Sequence, residues 1–252
     1  MAYFASLVRN REPSVHNVIG FVDGVNIPCM ASSDPDEQSE AYNGYMHDTC
    51  CNNVFAFSPE GKAIWAAINH PGSWHDAQVC ASLIRYVVEH IGDFALCVDQ
   101  GFPRSGALTD IFVGPFSKKK RRRLAPELRE VLLERCTVYT SLRQASEWGM
   151  RALQGTFPRL KSRLTSNKLK RQNIILAIVL LHNFRTHYMG LNQITAVFAV
   201  EYEQYINLEN YDRIAEVAAA YAAGDVHYEV GTPQHYAMLR LLGVDNSDED
   251  SD

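Results

Sequence analysis

The sequence predicts a mixed α/β protein: three antiparallel strands, a crossover helix and a parallel strand, followed by helices. Two observations support this order. The first part of the chain contains short apolar runs separated by polar turn residues, which is typical of a strand meander. After HPGSW the apolar residues recur at helical spacing, and a short apolar run, FALCV, follows at residues 94–98.

The first three strands are predicted at residues 18–25, 49–57 and 62–69. Between the first two lies an acidic, polar stretch at residues 31–44, which we predict to be a loop. The sequence SPEG at residues 58–61 is typical of a turn.

The crossover helix is predicted over residues 76–90, because Val79, Leu83 and Val87 fall on one side of it. The fourth strand, at residues 94–98, ends at Asp99. Later helices are predicted at residues 126–136, with Pro126 in the first turn, and at residues 141–153, 168–188 and 211–223.

This order of elements is that of the ribonuclease-H-like fold, in which the first and fourth strands are neighbours. The chain has 252 residues, of which 46% are hydrophobic, which is enough for one sizeable core.

Composition argues against membrane and secreted classes. The longest apolar run, IILAIVLL, is far shorter than the roughly 20 residues of a membrane span, and the N-terminus has no signal-peptide pattern. The six cysteines form no CxxC pair, so we expect reduced core thiols rather than disulfides or a zinc site.

The charge is strongly segregated along the chain. The formal net charge is −5, yet residues 118–200 hold 17 basic and 4 acidic residues, and the remainder holds 7 basic and 25 acidic residues. Such segregation favours a positive face for a polyanion. The alternative is a solvated helical face.

Three aspartates occupy positions suited to a shared site. Asp23 lies inside an apolar strand, where a carboxylate is costly unless it is paired or holds a metal. Asp99 ends the neighbouring strand, so the two could converge. Asp76 begins the crossover helix, where an aspartate can also serve as a helix cap. Carboxylates suit Mg²⁺ or Mn²⁺, and two such ions can cleave a phosphodiester.

Four segments resemble a known family. In order they are FVDGVNIP, PGSWHDAQV, ALCVDQGFP and LLHNF, and they resemble blocks of the PIF/Harbinger-type DDE transposases over about residues 18–198. The resemblance implies a ribonuclease-H-like core that uses a divalent metal, Mg²⁺ or Mn²⁺, to cut DNA at transposon ends and join the strands to a target. The implied metal-binding acids are Asp23, Asp76, Asp99 and a later glutamate.

The spacing around the glutamate departs from the family pattern. Arg143 and Glu147 fit an Arg-x-x-x-Glu motif, but the FPRLK segment that should follow closely lies seven residues too late and would instead place Gln154 at the acid position. We assign Glu147, because a neutral amide is a poor Mg²⁺ ligand; the implied catalytic residues are then Asp23, Asp99 and Glu147. The alternative is a surface acid paired with Arg143 or Arg151.

Basic residues in two segments are predicted to bind DNA phosphates. The run KKKRRR also suits a nuclear import signal, so we expect a nuclear protein and otherwise a cytoplasmic one; the alternative is a soluble loop. The predicted phosphate-binding residues are Lys118, Lys119, Lys120, Arg121, Arg122, Arg123, Arg159, Lys161, Arg163, Lys168, Lys170 and Arg171.

The predicted function is the metal-dependent endonuclease and strand-transfer core of a Harbinger-type transposase or transposase-derived protein. The alternative is a catalytically silent relative that binds DNA or protein. Members of the family usually carry a helical region ahead of the first aspartate, and some rely on a separate Myb-like DNA-binding partner. We expect DNA as a partner and no association with a membrane. The sequence does not decide between a monomer and an oligomer.

The predicted domain boundaries follow from this reading. They are an N-terminal remnant at residues 1–17, the endonuclease domain at 18–200, a helical extension at 201–245 and a disordered acidic tail at 246–252.

Overall fold

The computed structural model of the protein describes residues 1–117, 126–189 and 192–198, with side chains of the long helix described from Leu133. The predicted helix at residues 211–223, the C-terminal extension, the acidic tail and the basic run at residues 118–123 lie outside the described residues, and the predicted domain boundaries stay a prediction. Residues Met1–Ala199 form one compact unit.

A six-stranded mixed sheet forms the centre of the fold. Strand β1 pairs antiparallel with β3 and parallel with β5, while β3 also pairs with β4 and β5 pairs in parallel with β6. This arrangement confirms the predicted ribonuclease-H-like fold, with the first and fourth predicted strands as neighbours. The strands are β1 Val18–Pro28, β2 Tyr42–Asn43, β3 Asp48–Phe57, β4 Ala63–Pro71, β5 Ala95–Val98 and β6 Phe112–Val113.

Seven helices accompany the sheet in the described part of the chain. None of these is long and apolar enough to cross a membrane. They are α1 Ala2–Arg11, α2 Pro35–Ala41, α3 Asp76–Val79, α4 Ala81–His90, α5 Pro126–Thr156, α6 Lys168–Met189 and α7 Gln193–Phe198.

The predicted loop at residues 31–44 was wrong, because it contains helix α2. The Asp34 carboxylate accepts hydrogen bonds from the backbone N–H groups of Asp36 and Glu37, at 2.9 and 3.0 Å, and Pro35 occupies the first helical position. Both features start a helix, and they outweigh the polar composition that suggested a loop.

The two helices predicted at residues 126–136 and 141–153 are one helix, α5. Between the two predicted segments, the hydroxyls of Thr137 and Thr140 donate to carbonyls one turn earlier, at 3.0 and 2.6 Å. The helix continues through them because Leu142 and Ala145 bury their side chains in a cluster that covers the sheet, and Cys136 is buried as well.

Two hydrophobic clusters cover the two faces of the sheet. Alternation along β1 sends Phe21 into the cluster with α5 and α6, and Val22 into the cluster with α4. Gly149 lets α5 approach closely, because a Cβ there would lie 2.6 Å from the Phe57 ring. All six cysteines are buried and free, as expected for core thiols.

The LLHNF segment joins α6 to the sheet. The Asn183 side chain accepts from the Ala63 N–H at 2.7 Å and donates to the Ala63 carbonyl at 2.8 Å. His182, one residue earlier, contacts the Gly61 carbonyl through Nε2 at 3.1 Å. One asparagine therefore satisfies both backbone groups of a residue in β4.

We expect Asn183→Leu to lower the free energy of unfolding by about 2–4 kcal/mol, because two backbone groups of Ala63 lose their partner. Urea unfolding measures this loss. The matched control is Asn173→Leu on the exposed side of the same helix, which should change stability by less than about 0.5 kcal/mol. Equal effects of the two variants would contradict the assignment.

Candidate active site

Two carboxylates meet where β1 and β5 run side by side. In the parallel register Phe21 lies opposite Cys97 and Val22 opposite Val98. Asp23 and Asp99 are therefore the next residues along adjacent strands, and both point to the face covered by α5. The Asp99 carboxylate accepts a hydrogen bond from the Gln100 N–H at 2.5 Å. The structure thus brings together the two acids that sequence reasoning paired.

The environment of Asp23 opposes ionisation. Burial raises the pKa of Asp23 from 3.8 to about 6, and the charges of Asp99 and Asp76 raise it as well. The N–H of Gly24, which donates to Asp23 Oδ1 at 2.9 Å, and the charge of Arg143 act in the opposite direction. Three acidic groups therefore act on one another at this end of the sheet.

The solvation of the sheet changes sharply along β5. Cys97 is fully buried beside Phe21, and burial raises the pKa of its thiol to about 12. Asp99, two residues on, is only half-buried. The acids consequently lie at the boundary between the dry interior and solvent, where a charged ligand has access.

Asp76 approaches from the other face of β1. A Cβ at Gly24 would lie 2.5 Å from the Asp76 carboxylate, so the carboxylate rests directly against this glycine. A Cβ at Gly101, in the loop after Asp99, would lie 3.8 Å from Asp76 Oδ2. Asn52 donates to Asp76 Oδ1 at 3.0 Å.

Glu147 does not join the aspartates directly. It forms an ion pair with Arg143, with 2.8 Å between Nη2 and Oε1, and 38% of its side chain is exposed. This is the surface pairing that the sequence left as the alternative. The charge of Arg143 therefore acts both on Glu147, its ion-pair partner, and on Asp23. Gln154 lies two turns further along α5 and is half-buried.

Three of the predicted phosphate-binding residues contact protein groups instead. Arg171 is buried and donates to Asn69 Oδ1 at 2.5 Å and to two backbone carbonyls at 3.1 Å. Arg163 binds both carboxylate oxygens of Asp48, at 2.8 and 3.1 Å. Lys168 lies 3.4 Å from an exposed carboxylate.

The side chains of Arg159, Lys161 and Lys170 are exposed, at the start of α6 and in the short 3-10 helix Pro158–Lys161 before it. The predicted phosphate-binding run from Lys118 to Arg123 lies outside the described residues. The basic surface that the structure describes is therefore smaller than the sequence suggested.

The chemistry and the position of the acids decide whether they fit a divalent cation. In residues 1–117, 126–189 and 192–198 no three His, Cys, Asp or Glu residues are gathered so that they could hold a metal ion. In chemistry and position, however, the aspartates fit: they are hard oxygen donors at adjacent strand ends, their charges interact, and Gly24 keeps the space beside Asp76 free of a side chain. Asp23 and Asp99 would hold the cation, which would polarise a phosphate oxygen.

A family model described as DDE superfamily endonuclease matches residues 22–183. The chain belongs to this superfamily. The match begins one residue before Asp23, encloses Asp76, Asp99 and Glu147, and ends at Asn183. Members of the superfamily are endonucleases that act on DNA, typically with divalent metals. Neither the comparison with curated proteins nor the comparison with solved structures gave a significant match.

Sequence reasoning did not foresee two residues beside the acids of this DDE endonuclease domain. Arg143 was read only as part of the glutamate motif, and its effect on Asp23 depends on how α5 lies over β1. Asn52 carried no signal at all in the sequence, because its approach to Asp76 follows from the register of β3 against β1.

The raised pKa of Asp23 gives a prediction for stability without metal. The Asp23 carboxyl ionises near pH 3.8 in the unfolded chain and near pH 6 in the folded protein. The free energy of unfolding therefore falls as pH rises through this interval, and it stays lower at higher pH. Asp23→Asn should therefore raise the free energy of unfolding by about 1–3 kcal/mol at neutral pH, and by little below about pH 4.

Urea unfolding in the presence of a chelator, repeated across this pH interval, measures the difference. Asp110→Asn, at an exposed acid outside the cluster, is the control and should leave the pH dependence unchanged. If Asp23→Asn destabilised the protein at every pH, the carboxylate would have a structural role.

Proposed function

We propose that this DDE endonuclease domain is of the Harbinger type and cleaves DNA with Mg²⁺ or Mn²⁺. The observation that carries the proposal is the adjacency of Asp23 and Asp99 at parallel strand ends, with ionisation of Asp23 opposed by burial and by neighbouring acids. A carboxylate so placed is stabilised once a cation balances the charge. The four Harbinger-like segments support the subtype.

Each residue of the site has a distinct role in this proposal. Asp23 and Asp99 hold the cation, and Asp76 adds negative charge from the other side of β1. Arg143 moderates the repulsion between acids before the cation binds. Glu147 serves as the third acid once it leaves Arg143, because an i,i+4 pair with an exposed partner holds it only weakly.

The proposed substrate is DNA, bound along the exposed cations Arg159, Lys161 and Lys170. The run KKKRRR adds further phosphate contacts and directs the protein to the nucleus. A separate Myb-like protein supplies sequence-specific binding. The exposure of the three described cations supports the DNA-binding surface, and the sequence patterns support the nuclear location and the Myb-like partner.

A catalytically silent, DNA-binding relative is the second candidate. Two observations favour it: Glu147 is paired with Arg143, and the described acids are not gathered into a ligand cage. The two candidates differ in whether DNA is cut, so cleavage decides between them.

We expect the full chain to nick duplex DNA in the presence of Mn²⁺, and Asp99→Asn to reduce the rate at least about 100-fold, because it removes a direct cation ligand. The same substitution at the exposed Asp110 is the control. Gel electrophoresis of end-labelled DNA measures the rate. Glu147→Gln should match the loss in Asp99→Asn if Glu147 is the third acid. Absence of metal-dependent cleavage would favour the silent candidate.

The exposed cations give a separate prediction for binding. Removing both Arg159 and Lys161 should weaken DNA affinity and reduce the slope of log affinity against log salt by roughly 2, because about two phosphate contacts are lost. Fluorescence anisotropy with labelled duplex DNA measures both quantities. Arg163→Ala is the matched control, since that guanidinium is already bound to Asp48. An equal change in slope for Arg163→Ala would contradict the assignment.

A further inference from the structure

A buried asparagine on β3 contacts one of the acids. Asn52 is 1% exposed, and its amide nitrogen donates to the Trp74 carbonyl at 2.9 Å and to Asp76 Oδ1 at 3.0 Å. In the antiparallel register Val54 lies opposite Gly24, so Asn52 is two residues along the strand from that position and points to the same face. Asn52 and Gly24 thus contact the Asp76 carboxylate from two sides.

The orientation of this amide is fixed by its partners. Both neighbours are acceptors, so the nitrogen of Asn52 has to face them. Its oxygen, Oδ1, is buried and has no hydrogen-bond partner among the described residues. A buried, unpaired acceptor costs about 1–3 kcal/mol, which offsets much of what the two hydrogen bonds of the nitrogen contribute. The amide therefore adds little net stability to the strand beyond satisfying the Trp74 carbonyl.

The adjacent residue shows the contrast. Asn53, on the opposite face of β3, uses both ends of its amide: its oxygen accepts from the Asn69 N–H at 2.7 Å and its nitrogen donates to the Cys51 carbonyl at 3.0 Å. Asn53 is explained by backbone satisfaction alone. Asn52 instead divides its nitrogen between the Trp74 carbonyl and the Asp76 carboxylate, and its oxygen has no partner among the described residues.

The donor to Asp76 is also neutral. Glu147 is held by the cation Arg143, which balances its charge. An amide instead fixes the direction of the Asp76 carboxylate and leaves its full negative charge in place, and that charge acts on Asp23. A neutral hydrogen-bond donor can fix the orientation of a carboxylate without neutralising the charge that attracts a cation.

We propose that Asn52 is a positioning residue of the acidic site, which holds the Asp76 carboxylate against Gly24 so that its charge acts on the cation bound by Asp23 and Asp99. This inference rests on the proposed function, namely that these acids bind a divalent cation. It assigns Asn52 a role in cation affinity that is separate from its contribution to folding.

The test is thermal melting of the full chain against Mn²⁺ concentration, which reports binding without any activity. The wild-type protein should melt at higher temperature as Mn²⁺ rises. Asn52→Leu should raise the half-saturating Mn²⁺ concentration about tenfold or more, as for other residues that orient metal ligands. Asn53→Leu should lower the melting temperature without metal and leave the half-saturating concentration unchanged.

A second variant keeps the test decisive if Asn52→Leu does not fold. Asn52→Asp preserves size but places a second carboxylate beside Asp76, so one proton is shared between them at low pH and competes with the cation. The half-saturating Mn²⁺ concentration should then fall more steeply with rising pH than in the wild type. An unchanged pH profile would show that a group at this position does not affect cation binding.

The outcomes separate this inference from the proposed function. If the wild type responds to Mn²⁺ and Asp23→Asn does not, but Asn52→Leu or Asn52→Asp keeps the wild-type affinity and pH profile, only the role of Asn52 is overturned. An equal effect of Asn53→Leu overturns it as well. If the wild type shows no response to Mn²⁺, cation binding fails and the role of Asn52 fails with it.

Discussion

The parallel pairing of β1 with β5 is the interaction on which the acidic site depends. Because Val22 lies opposite Val98, the next residue of each strand is an aspartate, and the two arrive side by side without any adjustment of loops. Helices α3 and α4 form the crossover from β4 to β5, and this crossover brings Asp76 to the opposite face of β1. One register therefore sets the relative position of all three acids.

The same arrangement opposes folding. A carboxylate in the middle of a central strand loses hydration, and here its neighbours repel it too. The protein limits this cost with one backbone N–H from Gly24 and with the nearby guanidinium of Arg143, but no cationic side chain among the described residues pairs directly with Asp23. Sites that sacrifice stability in this way are commonly those where activity requires the unfavourable group.

The sequence was informative where local chemistry decides structure. Apolar runs and polar turns located the strands of the central sheet, and strand order alone predicted that Asp23 and Asp99 would be neighbours. It was uninformative where packing decides. The helices predicted at residues 126–136 and 141–153 are one helix that buries Leu142 and Ala145, and the contact of Asn52 with Asp76 depends on a register that no short motif encodes. The ion pair of Glu147 was one of two readings of the sequence.

The two hydrogen bonds of Asn183 have a consequence for how molecules of this protein behave at high concentration. In the part of the chain that the structure describes, β4 pairs only with β3, so its outer side is a sheet edge. Exposed edges of this kind can recruit strands from other copies and start aggregation. By occupying both backbone groups of Ala63, the side chain imitates a neighbouring strand and blocks such an addition where α6 crosses the sheet.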